Sequence, residues 1–588
     1  MPANDATKTP VPQAITTPSS VETGIGALEF TDGYPTTETA KTLGDHLDYV
    51  HGLEAFMNSI SGVSVYAIRQ GFLDAGVMDG DVFVWSGLMD SRTLALTANA
   101  DTVYFWGFVD LSQGPLVVET PSDTLGLFND MWFRWISDFG LPGVDRGQGG
   151  TYLLVGPSYD GPLPEDGFNV RHSRTNHLTI IGRAFINENP GMDPAPTVDR
   201  IKAQLKIYPY APGGVGSSIG AFLTGKGPLG QLTSSASPRF VEGTGLAMNT
   251  VPPNDFGHYE MLDALVQLEP AEALDTELAG QFAAIGIVKD EKFAPDARLR
   301  AILDEAVSVG NAASRTLGMG AHPSEGYRFY DGDTAWWNML FVGGFEFTNP
   351  PPEVTPDGIK PYPNKGARQL HSRTSMFYTA TAITPAMCMR LTNVGSQYLI
   401  ANVDPNGEPY DGAKTYRVRL PKDIPAARFW SFTVYDNQTR SMLQTPQRYP
   451  RAGSDLPLTR GRGGPGRLHR RVLLTHPARR HRPGQLDPDR PRPGLVCRPA
   501  PVQPAPALLR QDLEGRRDRT GPLTPRSPRP VLFVIGPDCP VARRECERRA
   551  VREQAMTAVT SVVAPNVDGG RAVMSERYPA AQLTRGMS

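Results

Sequence analysis

Two polar clusters in this sequence bring together side chains able to act on a small molecule. The first is Asn99, Asp101, Thr102 and Tyr104. On an extended chain Asn99 and Asp101 share one face, while Thr102 and Tyr104 share the other. Asp101 can then serve as a base or hold a cation. An Asx-type turn opening a strand uses the same residue types and is the commoner arrangement. The second cluster is Tyr435, Asp436, Asn437, Thr439 and Arg440, at the end of a strongly β-forming run. A carboxylate and a guanidinium this close can receive a carboxylate substrate or simply stabilise each other. His371 and Arg373 fall on one face of an extended stretch and can join such a site. A lone histidine near an arginine is more often an ordinary surface or core residue.

Other chemistries find less support. Seven histidines precede residue 455, and His172 and His177, five apart in a β-like stretch, point to opposite faces. No H-E-x-x-H occurs, so no metal site is expected. Gly216-Ser-Ser-Ile-Gly220 matches G-x-S-x-G, with Ser218 in the nucleophile position. That motif needs a strand before it and a helix after it on an α/β sheet, whereas Pro209 and Pro212 precede it here. The glycine-rich stretch from Gly213 to Gly220 lacks the Lys-Ser/Thr of a phosphate loop. Trp336-Trp337 can line a cleft, but buried aromatics usually fill cores. No cofactor is implied. The catalytic candidates reduce to Asp101, Asp436 and Arg440, and the binding candidates to those three with Asn99, Thr102, Tyr104, His371, Arg373 and Tyr435.

The elements that must hold these residues alternate in texture. Residues 1–33 begin Thr/Pro/Ser/Ala-rich and read as a flexible leader. They lack a basic start followed by an apolar core, so no signal peptide is visible and a cytoplasmic location is the default. Leu43, Leu47, Val50 and Leu53 recur at helical spacing, predicting a helix within 34–62 that runs from about Thr37 to Ser59. From Val63 to Phe185 short β-like runs alternate with Gly, Pro and Asp: Thr93–Leu96, Val103–Val109, Leu116–Glu119, Thr151–Val155 and Leu178–Ile181. This spacing predicts a sandwich over 63–200. Helical stripes return within 201–335, with Tyr259, Leu262, Leu265 and Val266 in one and Leu299, Ile302, Leu303 and Ala306 in another. Over 336–454 the chain is β-rich again. Tyr416, Val418 and Leu420 alternate with arginines, and Trp430, Phe432 and Val434 share one strand face opposite Ser431, Thr433 and Tyr435. Asp404-Pro-Asn-Gly407 marks a turn.

Three segments, in this order, resemble a bacterial family that pairs domains of unknown function 1254 and 1214. They are Thr97-Ala-Asn-Ala-Asp-Thr-Val-Tyr104 leading to Asp110-Leu-Ser-Gln-Gly-Pro115; Gly149-Gly-Thr-Tyr-Leu-Leu-Val-Gly-Pro157 followed by Ile181-Gly-Arg183; and Tyr416 to Pro421 followed by Phe429-Trp-Ser-Phe-Thr-Val-Tyr-Asp436 and Thr439-Arg-Ser-Met-Leu443. The likeness spans about Tyr34 to Ser454. It implies a mainly β fold with α segments: an N-terminal immunoglobulin-like β-sandwich, a helical middle and a C-terminal jelly-roll-like sandwich. It implies no activity.

A seam follows at Asp455. The 588-residue chain is 40% hydrophobic and carries a net charge of -3, which offers no overall basic footprint for nucleic acid. Beyond the seam, however, lysine is absent and Phe533 is the one aromatic residue between Asp455 and Ile535. Arg, Pro and Gly dominate, and three of the four cysteines lie there, leaving Cys388 alone before it. Residues 455–588 read as a disordered, out-of-frame tail. Shifting the frame lets the codons of Leu495-Val-Cys-Arg498 specify Trp-Phe-Ala, and a long aromatic-rich string follows until a stop codon becomes possible at Leu523–Thr524. That string resembles the closing segment of the family's second domain. Sequencing the gene across the codons for Arg451 to Gly461 is expected to find one base gained or lost against the source genome. An intact frame there would make the tail a natural Arg/Pro-rich segment whose nucleic-acid binding needs testing.

The leading functional expectation is binding of a small polar or carboxylate-bearing ligand in a cleft between domains, with homo-oligomer formation compatible with sandwich domains. A metal-independent hydrolase or lyase built on Asp, Arg and Tyr is the rival, and a structural envelope protein the third reading. No apolar run is long enough for a membrane span.

Overall fold

A computed structural model describes residues 9, 11–211, 236–319, 335–338, 343–355, 358–360, 366–389, 391, 396–414, 416, 418, 426, 428–454 and 530–534. Ser218 and its glycines, Leu420 and most of the tail lie outside the described residues.

The first long element is a helix from Thr37 to Asp74. Thr36 caps it, its hydroxyl accepting from the Thr39 amide at 3.2 Å, and Gly76 follows its end with φ +79°. The helix continues well past the expected stop near Ser59. Its second half is buried nearly all round, from Ala55 to Phe72, so the stripe that marks a surface helix fades there. Small residues make this burial possible. A Cβ on Gly62 would meet Trp132 and Leu265 at 2.7 Å, and one on Gly52 would meet Leu303 at 2.7 Å. The predicted stripes of the middle segment are inward faces as expected: Tyr259, Leu262 and Leu265 on the Gly257–Leu268 helix, and Leu303 and Ala306 on the Ala297–Met319 helix, are buried.

The β runs of the first half form two sheets. A six-stranded sheet has the order Phe240–Glu242, Val82–Val84, Val103–Asp110, His177–Ala184, Thr124–Asp130, Trp135–Gly140. A four-stranded sheet has the order Asn169–His172, Thr151–Val155, Leu116–Glu119, Lys206–Pro209. Their inner faces share one core containing Val103, Phe105, Phe128, Phe139, Val118, Tyr152, Leu154 and Ile180. The opposite face of the larger sheet carries Tyr104, Trp106, Phe108, Leu127 and Ile181 into a second core with the helices. Phe72 of the long helix meets Phe83, Trp106 and Phe108 there, at ring separations of 4.8, 5.5 and 5.6 Å. The six-stranded sheet is therefore covered on both faces.

The second β region gives a four-stranded sheet among the described residues: Leu399–Ala401, Pro530–Val534, Ser431–Asp436, Arg451–Gly453. Phe432 and Val434 enter a core with Trp336, Leu399, Tyr410 and Trp430, as the alternation predicts.

Three expectations need correction. The leader is not flexible throughout, because Ser20–Thr23, Gly26–Thr31 and Tyr34–Pro35 form an antiparallel meander. Its Glu29 amide donates to the Thr39 hydroxyl at 2.8 Å, and Leu28 is buried. The tail is not wholly without structure either. Pro530-Val-Leu-Phe-Val534, its β-branched and aromatic run, pairs antiparallel with the strands on both sides. Finally, His371 and Arg373 lie on a helix, Leu370–Thr379, rather than an extended stretch. Burial of Ser372, Thr374 and Ser375 among neighbouring elements overrides the weak helical preference of those residues. Two positions apart on a helix, His371 and Arg373 no longer share a face.

Candidate functional site

The larger sheet presents its helix-side face as ordered rows. Register pairs Arg183 with Tyr104 on one neighbour and Leu125 on the other. Two residues along, Ile181 pairs with Trp106 and Leu127. Two glycines keep these rows in place. Gly182 and Gly126 are paired on the sandwich side, where added Cβ atoms would meet the rings of Phe105 at 1.9 Å and Phe139 at 2.0 Å. Those rings fill the sandwich core, so their neighbours Arg183, Leu125 and Leu127 face the other way.

A cavity of about 110 Å³ lies over these rows. Its other walls come from the Leu370–Thr379 helix and the segment after it (Met376, Ala382, Thr384, Met387), from Tyr398 and Ile400, and from Ser431, Thr433 and Tyr435. The cavity thus lies where the first sandwich meets the second β region. Both faces of the Ser431–Asp436 strand are accounted for: the apolar face closes its own core and the hydroxyl face lines the cavity.

Among the described residues that line the cavity, Arg183 alone is charged. It is half-buried and lines the cavity. Its polar neighbours among the described residues are hydroxyls, Ser396 Oγ at a long 3.4 Å and the phenol oxygens of Tyr398 and Tyr104, and no described carboxylate pairs with it. Burial works against its charge, the Tyr398 and Tyr104 oxygens favour it, and the guanidinium stays protonated. Burial likewise raises the pKa of Tyr104 despite the opposing pull of Arg183, and burial raises that of Tyr435 well above its ordinary value. Both phenols therefore remain neutral hydroxyls. Tyr104 Oη accepts from Asn99 Nδ2 at 3.1 Å, and Tyr435 donates to the Ala98 carbonyl at 2.8 Å. The cavity supplies a guanidinium and hydroxyls and contains no described carboxylate that could act as a base.

The two clusters picked out from the sequence meet here. The 95–101 segment is clasped by the second β region: Ser441 Oγ accepts from the Ala95 amide at 3.0 Å, and the Arg440 carbonyl accepts from the Thr97 amide at 3.1 Å. Asn99 Oδ1 accepts from the Asp101 amide at 3.0 Å and the Thr102 hydroxyl at 3.2 Å, the Asx-type turn considered above. Asn99, Tyr104 and Tyr435 reach the cavity wall. Asp101 turns away from it, accepting from Ser431 Oγ at 2.7 Å and pairing with the buried Arg451. Asp436 accepts from the amides of Gln438 and Thr439 at 2.9 and 2.8 Å, holding a turn. Arg440 lies 4.1 Å over the Tyr378 ring, and burial pulls its pKa below the usual value. His371 is exposed, and Arg373 donates to Asn58 Oδ1 at 2.6 Å. None of these last four residues lines the cavity.

Sequence reasoning missed Arg183 as a site residue, and with it Tyr398, Trp106 and Ile181. The signal was an arginine inside His177-Leu-Thr-Ile-Ile-Gly-Arg-Ala184, a strand otherwise without acid or lysine, on the same face as Thr179 and Ile181. His177, set aside as a ligand, is buried beside Glu269, with Nδ1 2.9 Å from Oε1, and Glu269 also accepts from the Asn176 amide at 2.6 Å. Among the described residues no group of three His, Cys, Asp or Glu side chains is placed to hold a metal.

One buried acid touches the cavity wall from behind. Asp138 accepts from Thr384 Oγ1 at 2.5 Å and from Trp135 Nε1 at 3.0 Å. Burial, only partly opposed by these two bonds, raises its pKa to about 7. The folded state therefore binds a proton that the unfolded chain, titrating near pH 4, releases. The stabilisation is complete below the unfolded pKa and is lost as pH rises towards 7. Urea midpoints measured from pH 4 to 8 should fall for the wild type relative to Asp138→Asn across this window and then run parallel. A constant difference at every pH would count against a neutral Asp138.

Residues 81–209 match a family model described as "Protein of unknown function (DUF1254)", and residues 395–468 match one described as "Protein of unknown function (DUF1214)". The second match runs past the compositional seam. No curated protein matches the chain. The crystal structure of the VPA0106 protein from Vibrio parahaemolyticus is similar at 15% identity and a TM-score of 0.40, covering 69% of this chain and 84% of that one. No helix of the described residues is long and apolar enough to cross a membrane.

Proposed function

We propose, for a chain that carries the DUF1254 and DUF1214 regions in that order, that the cavity between its two β regions binds a small anion-bearing molecule. The family descriptions supply no activity, so the reading rests on the site. The observation that carries it is Arg183, a protonated guanidinium on a cavity wall with no described carboxylate beside it. A buried cation is costly to maintain without a counter-charge, and an arriving anion would supply one. Guanidinium suits this task because its planar fork matches a carboxylate. Asn99, Tyr104 and Thr433 add polar groups that can fix the ligand's orientation.

Thermal unfolding in the presence of formate, acetate, butanoate, succinate and phosphate tests the reading. At least one anion should raise the melting temperature saturably, since a ligand at a hundred times its Kd adds about 2.7 kcal/mol. The same anion should leave Arg183→Met unchanged. If the full anion panel leaves the wild type unmoved, or moves the variant equally, the proposal fails.

A further inference from the structure

The row arrangement of the cavity narrows the chemistry of its ligand. We infer that the site is built for a short aliphatic monocarboxylate, its carboxylate on Arg183 and its chain laid along the strands over Ile181. This rests on the anion-binding reading above and adds to it a size, an orientation and a charge.

The orientation follows from register. Arg183 and Tyr104 form one row, and Ile181, Trp106 and Leu127 form the next. Adjacent rows on one sheet face lie two residues apart, about 6.6 Å. The charged end of a ligand and the centre of its apolar body are therefore separated by the length of a few carbon–carbon bonds. Trp106 keeps its ring as wall, because its Nε1 already donates to Thr179 Oγ1 at 2.8 Å. Met376 and Met387 also line the cavity, and such unbranched side chains adapt to small differences in chain shape.

The size follows from volume. A cavity of about 110 Å³ is smaller than the cavity of about 150 Å³ known to accept benzene. Together with the row spacing this allows a carboxylate carrying a chain of about three to five carbons in all.

The charge follows from the lining. With Arg183 the one charged residue among the described lining, a second carboxylate would be buried opposite Ile181, Trp106 and Leu127 without a cation. A terminal ammonium would be buried there without a carboxylate. Either leaves an unpaired charge in an apolar setting, which is far more costly than a lost neutral hydrogen bond. The cavity should therefore reject dicarboxylates and amino acids of the same length.

Isothermal titration of the full chain with butanoate, butyramide, succinate and 4-aminobutyrate tests this. Butanoate should bind, with each of the other three weaker by about tenfold or more. Arg183→Met should abolish butanoate binding. Leu127→Trp, which fills the apolar row without touching the cation, should weaken butanoate more than formate, and this second variant reads chain placement independently of charge. If succinate or 4-aminobutyrate binds as tightly as butanoate, the monocarboxylate assignment falls while anion binding at Arg183 survives. If neither butanoate, succinate nor 4-aminobutyrate binds, and formate and phosphate fail as well, both readings fall together.

Discussion

Arg451→Met is expected to destabilise the protein by about 3–5 kcal/mol, the cost of breaking a buried ion pair by removing one partner. Arg451 and Asp101 are each almost fully buried and pair directly. Asp101 belongs to the segment before the Val103–Asp110 strand, and Arg451 opens the last strand before the seam. The pair therefore ties the first sandwich to the second β region, in company with the Ser431 hydroxyl on the other Asp101 oxygen. Substituting the arginine strips a buried carboxylate of the Arg451 cation. The double variant Asp101→Leu with Arg451→Met should recover most of the loss, because two apolar side chains can replace a buried pair at little net cost. Urea unfolding followed by tryptophan fluorescence, run on both single variants and the double, gives the coupling directly. A loss below about 1 kcal/mol for each single variant, typical of exposed pairs, would show that the two β regions are held together by other contacts.

This pair also shows how far residue chemistry alone carries. Asp101 stood out from the sequence because a carboxylate beside Asn, Thr and Tyr is a plausible site, and a counter-ion 350 positions away leaves no local trace. The strand runs were far more legible. Leu116–Glu119 and Thr151–Val155 coincide with observed strands to the residue, since β-branched runs bounded by Gly and Pro report their structure locally. The alternation from Trp430 to Tyr435 correctly separated a core face from a polar face. What failed depended on surroundings. The long helix past Ser59 is buried nearly all round, so periodicity could not announce it, and its Ser, Gly and Val content reads as β. The helix carrying His371 is held by packing against propensity. Arg183 was missed for a related reason. It contributes one charge to an apolar strand, and its importance lies in Tyr104 and Leu125 across the register and in cavity walls contributed by Met376, Tyr398 and Thr433. Glycine pairing at Gly126 and Gly182 sets that register, and a glycine in sequence does not say which ring it admits.

Arg183→Met should separate stability from function in opposite directions. Desolvating a half-buried guanidinium without a described counter-ion costs the unliganded protein, a cost the Tyr398 and Tyr104 hydroxyls oppose. Methionine keeps much of the side chain's length and can pack against Trp106 and Ile181 in the same apolar surroundings. What it forfeits is the long contact to Ser396 and the hydrogen bonds to the Tyr398 and Tyr104 hydroxyls, set against the desolvation it removes. The unliganded variant should accordingly be no less stable than the wild type, and up to about 2 kcal/mol more stable, since replacing buried charge by apolar side chains is often neutral or favourable. Its response to anions should vanish. That combination is the mark of a residue kept for binding at the expense of the fold. A structural arginine would behave otherwise: its loss would lower stability and would weaken anion binding only through partial unfolding. Chemical unfolding of wild type and variant, each with and without butanoate, distinguishes the two. A variant that is destabilised by more than about 2 kcal/mol without ligand would assign Arg183 to the architecture of the cavity and not to its cargo.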